Sequence, residues 1–161
     1  MSEKEKIQFL KSQILSKRNQ INKFKFKNKD NKEVWSTFKI LANEPNECLG
    51  AYVISMTTSA SDILSVSFLQ KEAEIKHRLR VVPLFETLDD LINAKDIMES
   101  LFSQSWYRKL IKNNQEVMIG YSDSSKDAGK ICANWHQYKA QEEIIKLGKK
   151  YNIDVVFFHG R

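Results

Sequence analysis

A chain of 161 residues with 42% hydrophobic residues is long enough to bury a core as one domain, and its 5 glycines and 2 prolines argue against long linkers or a turn-dense sandwich. No run approaches the roughly 18 consecutive apolar residues of a membrane span, and the charged start Met1-Ser2-Glu3-Lys4-Glu5-Lys6 has no signal-peptide core. The net charge of +6 comes from 26 basic residues, of which 21 are Lys and 5 Arg. Readers of bases and phosphates favour arginine forks, and asparagine accompanies lysine here, as in Asn28-Lys29-Asp30-Asn31-Lys32. The excess therefore reads as compositional drift, with no nucleic-acid and no membrane partner. Cys48 and Cys132 have no metal-like spacing and imply no disulfide framework, so a reducing, cytoplasmic setting is expected.

In chain order, Lys4 to Ser16 place Ile7, Leu10, Ile14 and Leu15 on one helical face and predict a first helix. Lys17 to Lys32, polar apart from Ile21, Phe24 and Phe26, reads as a solvated loop. A short second helix is predicted from Val34, with Val34, Phe38, Ile40 and Leu41 on its apolar side. Short runs rich in β-branched and aromatic residues then recur at 52–56, 80–85, 117–121 and 154–158. Helical patterns separate them. After the first run, Ser59 and Asp62 stand at capping-box spacing ahead of Ile63, Leu64, Val66, Phe68 and Leu69. Thr87 and Asp90 repeat that spacing after the second run, ahead of Leu91, Ala94, Ile97, Met98, Leu101 and Phe102. After the third comes a long helix with Ile131, Trp135, Tyr138, Ile145 and Leu147 as its inner stripe, where Cys132 reads as a small core residue and Trp135, like Trp106, as a packing group. Strand spacings of about 30 to 40 residues suit βαβ units, and continuous apolar runs suit strands buried on both faces of a parallel sheet. The fold class is α/β: a partial (β/α) barrel of four parallel strands with intervening helices, preceded by an N-terminal helical segment. Residues 1–48 hold the N-terminal helices and Lys-rich loop, and 49–161 the partial barrel.

Ligand sites of parallel α/β folds lie at the carboxyl ends of the strands, where the βα loops gather. The second run ends in Phe85-Glu86-Thr87, the third in Tyr121-Ser122-Asp123-Ser124-Ser125-Lys126, and the fourth in His159-Gly160-Arg161. The hard oxygens of Glu86 and Asp123 suit Mg²⁺ or Mn²⁺, which keep several waters and accept substrate oxygens. Lys126 and Arg161 suit an anion carrying phosphate or carboxylate. Taken singly, Glu86 also reads as a helix-dipole partner, Asp123 as a helix cap and Lys126 as a solvated surface charge. His136 reads as a packed or surface helical residue, and His77 carries no argument.

Four stretches bear a family resemblance. They are Ala51-Tyr52-Val53-Ile54-Ser55-Met56, the block from Pro83 to Leu91, the block from Val117 to Gly129 (VMIGYSDSSKDAG), and Phe158-His159-Gly160-Arg161. Each resembles a segment of the central barrel of phosphoenolpyruvate carboxylases, in family order, and the 37-residue interval from Glu86 to Asp123 is also similar. The resemblance implies conversion of phosphoenolpyruvate and bicarbonate to oxaloacetate and phosphate, with Mg²⁺ or Mn²⁺ as cofactor. It implies Glu86 and Asp123 as metal ligands. Arg161, His159 and Lys126 would be the catalytic and substrate-binding residues that hold the phosphate or carboxyphosphate. It further implies a homotetramer in the family. Departures are also visible: the family's His-Pro-Thr histidine and its glycine-rich loop have no counterpart, and Asn134 and His136 flank Trp135 where the family has small residues. A fragment with an incomplete active site is expected. The alternative is a non-catalytic remnant or a split-enzyme subunit that needs a complementary chain.

Overall fold

The structure, a computed structural model, describes residues 1–19 and 26–160. The chain divides into two compact units, Met1–Ala51 with Ser61–Leu79, and Tyr52–Ala60 with the chain from Arg80 on.

In the first unit, helix α1 (Glu3–Leu15) opens on a reciprocal capping box. Glu5 N–H donates to Ser2 Oγ at 3.4 Å and Ser2 N–H to Glu5 Oε2 at 2.6 Å. Leu10 and Ile14 are buried as predicted, but Leu15 is exposed, because it stands about 100° around the helix from Ile14. Helix α2 (Lys29–Asn43) begins ahead of the predicted Val34, within the stretch read as loop. Its start is set by Asn28, whose side chain accepts from Asp30 N–H at 2.7 Å, so a local cap decides where hydrophobicity is silent. Of its predicted apolar side Phe38 is buried, while Val34 and Ile40 are exposed; Ile40 stands about 200° from Phe38. Ile21 and Phe24, and the rest of 20–25, lie outside the described residues.

Helix α3 (Ala60–Glu72) buries Ile63, Leu64 and Val66, with Phe68 and Leu69 half-buried. Its last turn is tied down by polar groups. Gln70 Oε1 accepts from Leu79 N–H at 2.8 Å while its Nε2 donates to Leu79 O at 3.2 Å. Lys71 Nζ meets Glu72 Oε1 at 2.8 Å, with both side chains almost wholly buried. A second bond from Lys71 Nζ to Arg18 O helps offset the desolvation of the pair.

The sheet comprises β1 (Ala51–Ile54), β2 (Arg80–Phe85), β3 (Asn114–Gly120) and β4 (Asp154–Gly160) in the order β1-β2-β3-β4. All four strands are parallel, with helices between them, and the sheet is not closed. This is the partial β/α arrangement that the sequence pattern predicts. β1 stops at Ile54, short of the predicted Met56, which takes a left-handed φ of 52°. β3 starts before the predicted Val117 because Asn114, Gln115 and Glu116 pair with Asp154, Val155 and Val156 of β4. Ladder hydrogen bonds are indifferent to the polarity of those side chains.

Helix α4 (Leu88–Phe102) follows its prediction closely: Thr87 and Asp90 form a capping box, and Leu91, Ala94, Ile97, Met98, Leu101 and Phe102 are all buried. A short helix not anticipated, α5 (Ser105–Leu110), buries Tyr107. The Tyr107 hydroxyl donates to Gln115 Oε1 at 2.7 Å, and Gln115 Nε2 donates to Val81 O at 3.0 Å, so one buried glutamine ties α5 and β3 to β2.

Two further helices follow β3: α6 (Ser122–Ala128) and α7 (Lys130–Tyr151). The predicted inner stripe of α7 is reversed. Leu147 is buried, but Ile131, Trp135, Tyr138 and Ile145 are exposed, as is Cys132. The buried stripe is Ala133, Gln137, Ala140, Ile144, Leu147 and Gly148. Close approach explains the choice: a Cβ on Gly148 would lie 2.8 Å from both Ile153 O and Val155 Cγ2. At that turn only glycine fits, so this face of α7 lies against the start of β4 and the stripe of Ile131, Trp135, Tyr138 and Ile145 turns outward.

Candidate active site at the strand ends

Glu86 follows the last residue of β2 and is half-buried. Its position is fixed from behind by the α4 cap. Asp90, itself buried, accepts the backbone N–H of Glu86 at 3.2 Å and of Thr87 at 3.0 Å through Oδ2. In front, Glu86 Oε1 accepts from Met56 N–H at 3.3 Å, which draws the turn after β1 to the same end of the sheet. β2 and β3 pair through Leu84↔Met118 and Phe85↔Ile119, so the next residue of β3, Gly120, comes level with Glu86. A Cβ on Gly120 would stand 2.7 Å from Glu86 Cβ.

Three residues beyond Gly120, Asp123 lies in the first turn of α6, half-buried, where a carboxylate favours the helix dipole. Lys126, one turn on, places Nζ 2.9 Å from Asp123 Oδ1, with 75% of the lysine and 46% of the aspartate side chain exposed. Lys126 is thus a solvated surface charge, whereas Asp123 is not the helix cap: Tyr121 holds the N-cap position of α6, with no side-chain capping bond, and Asp123 lies inside the first turn. The turn beneath them is bolted from α7: Gln137, buried, donates from Nε2 to Gly120 O at 3.2 Å and Ser124 Oγ at 3.0 Å.

His159 stands in β4 opposite Ile119, exposed, with Nδ1 2.6 Å from the Tyr121 hydroxyl. Arg161 lies outside the described residues. The structure thus places Glu86, Asp123 with Lys126, and His159 at the carboxyl ends of β2, β3 and β4, three consecutive strands of one sheet. Among the described residues no group of three or more His, Cys, Asp or Glu is assembled that could hold a metal ion. Glu86 and Asp123 offer two carboxylates, a donor set chemically suited to a hard divalent cation that keeps most of its water.

Three supporting residues escaped the reading of the sequence: Asp90 in its second role at Glu86, Gln137, and Tyr121. Gln137 had a signal, since it is the polar member of the small-residue stripe Ala133-Gln137-Ala140. Tyr121 lay inside the recognised strand-end block, but only tertiary contact gives it a partner.

Against known proteins, the family profile described as Phosphoenolpyruvate carboxylase matches residues 1–161. The chain is similar to "Phosphoenolpyruvate carboxylase" of Flaveria pringlei, 51% identical over 160 residues, which is 99% of this chain and 16% of that protein. It is similar also to the protein of the same name from Acinetobacter baylyi, 56% identical over 132 residues, or 82% of this chain and 15% of that one. A third, from Aliivibrio salmonicida, is 49% identical over 160 residues, 99% of this chain and 18% of the relative. The chain therefore spans less than a fifth of the length of the curated relatives it matches.

Proposed function

The chain belongs to the phosphoenolpyruvate carboxylase family, and from that premise we propose that it supplies the metal- and anion-binding strand ends for carboxylation of phosphoenolpyruvate by bicarbonate, giving oxaloacetate and phosphate. The single observation that carries the reading is the emergence of Glu86 and Asp123 from the ends of the paired strands β2 and β3, Glu86 level with Gly120 and Asp123 three residues beyond it. Glu86 and Asp123 would hold Mg²⁺ or Mn²⁺. A bound divalent ion supplies Lewis-acid stabilisation of phosphoryl and enolate oxygens. Lys126, whose ammonium bonds Asp123, would help hold the anionic substrate. His159, with Arg161 two residues on, would contact phosphate or carboxyphosphate. Homotetramer assembly and a cytoplasmic setting belong to the same proposal.

The test is Mn²⁺ binding followed by electron paramagnetic resonance on the chain and on Glu86→Gln and Asp123→Asn. Weak binding is expected, because two protein ligands leave most positions to water, and each variant should weaken it by about tenfold or more, about 1.4 kcal/mol. Equal binding by all three proteins would sink the assignment.

A second reading is favoured by the exposed stripe Ile131, Trp135, Tyr138 and Ile145 on α7. Here the chain is a subunit of a split enzyme, completing its site with a complementary chain that covers that stripe. Co-purification of this chain with such a chain, and recovery of turnover only in the mixture, would distinguish it.

A further inference from the structure

We propose that Tyr121 is a positioning residue that sets the tautomer of His159, so that the imidazole presents Nε2–H outward as a hydrogen-bond donor. The inference rests on the reading of His159 as a contact for anionic substrate and adds to it the atom that makes the contact.

The Tyr121 hydroxyl and His159 Nδ1 are 2.6 Å apart, short for an O–H···N bond, with ring centroids 5.7 Å apart and planes inclined at 48°. Two arrangements satisfy that distance: phenol O–H donating to a bare Nδ1, or Nδ1–H donating to the phenol oxygen. Chemistry selects the first. The phenol is the stronger acid of the two neutral donors, and the in-plane lone pair of an unprotonated imidazole nitrogen is the stronger acceptor. In a neutral imidazole the proton sits on the nitrogen that the hydrogen bond does not use, so occupation of Nδ1 as acceptor leaves the proton on Nε2. The backbone holds both partners in place. Tyr121 directly follows β3 and its carbonyl accepts from Ser125 Oγ at 2.8 Å, while His159 lies within the ladder of β4 opposite Ile119. A phosphate or carboxylate oxygen needs donors, and a histidine presenting bare Nε2 would repel it. Tyr121 makes the neutral ring a donor without requiring it to be charged.

The experiment is nitrogen-15 magnetic resonance of the side chains of His77, His136 and His159 in the full chain, assigned with His159→Gln, at a pH where His159 is neutral. In the unaltered chain Nδ1 of His159 should resonate as an unprotonated ring nitrogen and Nε2 as a protonated one. In Tyr121→Phe the two resonances should move toward each other as both tautomers populate. A protonated Nδ1 in the unaltered chain, or the same pair of resonances in Tyr121→Phe, would overturn the proposal. If Tyr121→Phe gives a poorly dispersed spectrum, incorporation of 3-fluorotyrosine decides instead. It keeps the shape and strengthens the donor, so Nδ1 should shift further in the hydrogen-bonded direction, and an unmoved Nδ1 would count against Tyr121. No substrate enters these measurements. Titration with phosphoenolpyruvate then addresses His159 separately: with the tautomer as proposed, an unresponsive Nε2–H would overturn only the reading of His159 as a substrate contact.

Discussion

Gly120 and Glu86 occupy adjoining strand ends so closely that a methyl group on Gly120 would fall 2.7 Å from Glu86 Cβ and 3.0 Å from its Cα. The Cα is backbone, so the neighbour cannot simply swing away. Gly120→Ala should destabilise the fold by about 1–3 kcal/mol, the usual cost of overpacking. It should also displace Glu86 and weaken Mn²⁺ binding. Chemical denaturation and metal titration on the same variant check both halves; unchanged metal affinity would separate Glu86 from the site.

The isolated chain should form no oxaloacetate from phosphoenolpyruvate and bicarbonate. Binding metal and anions does not replace a proton-handling group or a loop that excludes water. Turnover by the purified chain, free of contaminating enzyme, would refute this.

Self-association is the expected solution behaviour. Ile131 and Trp135 on α7 are 88% and 60% exposed, and Val156 and Phe158 on edge strand β4 are 46% and 53% exposed. An apolar helix stripe and an open strand edge are both surfaces that natural monomers keep small or covered. Size-exclusion chromatography at micromolar concentration should show species larger than a monomer, with Ile131→Lys and Trp135→Lys together shifting the profile toward one. A sharp monomer peak for the unaltered chain would show that these surfaces are tolerated.

Tyr107→Phe should cost about 1–3 kcal/mol in denaturant unfolding, because it strips Gln115 Oε1 of its buried donor. Burial also pushes the Tyr107 phenol above its ordinary value, so it remains a donor through the alkaline range in which exposed tyrosines ionise. A variant as stable as the parent would mean that Gln115 finds another donor.

Acid should weaken α7 from its solvent side. Glu142 and Glu143 sit below their ordinary value of 4.5, chiefly through hydrogen bonds from Lys146, with Lys139 adding to both. A carboxylate whose folded value is depressed stabilises the fold above its unfolded value and loses that contribution as pH falls through the folded one. Thermal melts between pH 7 and pH 3 (roughly the carboxylate range) should show Glu142→Gln/Glu143→Gln less stable than the parent at neutral pH and equal to it in acid. Added salt should shrink the difference, since the pairs are solvent-exposed. A gap that persists at low pH would point to packing instead of charge.

Local rules made much of this fold legible in advance. The capping box at Thr87 and Asp90, with the apolar rhythm of Leu91 to Phe102, defines α4 without reference to any neighbour, and the four apolar runs locate the strands. The positions of Glu86, Asp123 and His159 at strand ends follow from those runs, because a parallel sheet sends every βα loop to one end. Outward facing on α7 could not be read that way. Both of its stripes carry apolar residues, and the close approach of Gly148 to Ile153 and Val155 that marks the buried one exists only once β4 is laid beside the helix. The same holds for residues that act across the chain. Gln137 reaches the Gly120 carbonyl, and Tyr121 reaches His159 across 38 positions of sequence. Composition and periodicity report which face of an element is apolar. Which nitrogen of a histidine carries a proton depends on a partner that only tertiary packing supplies.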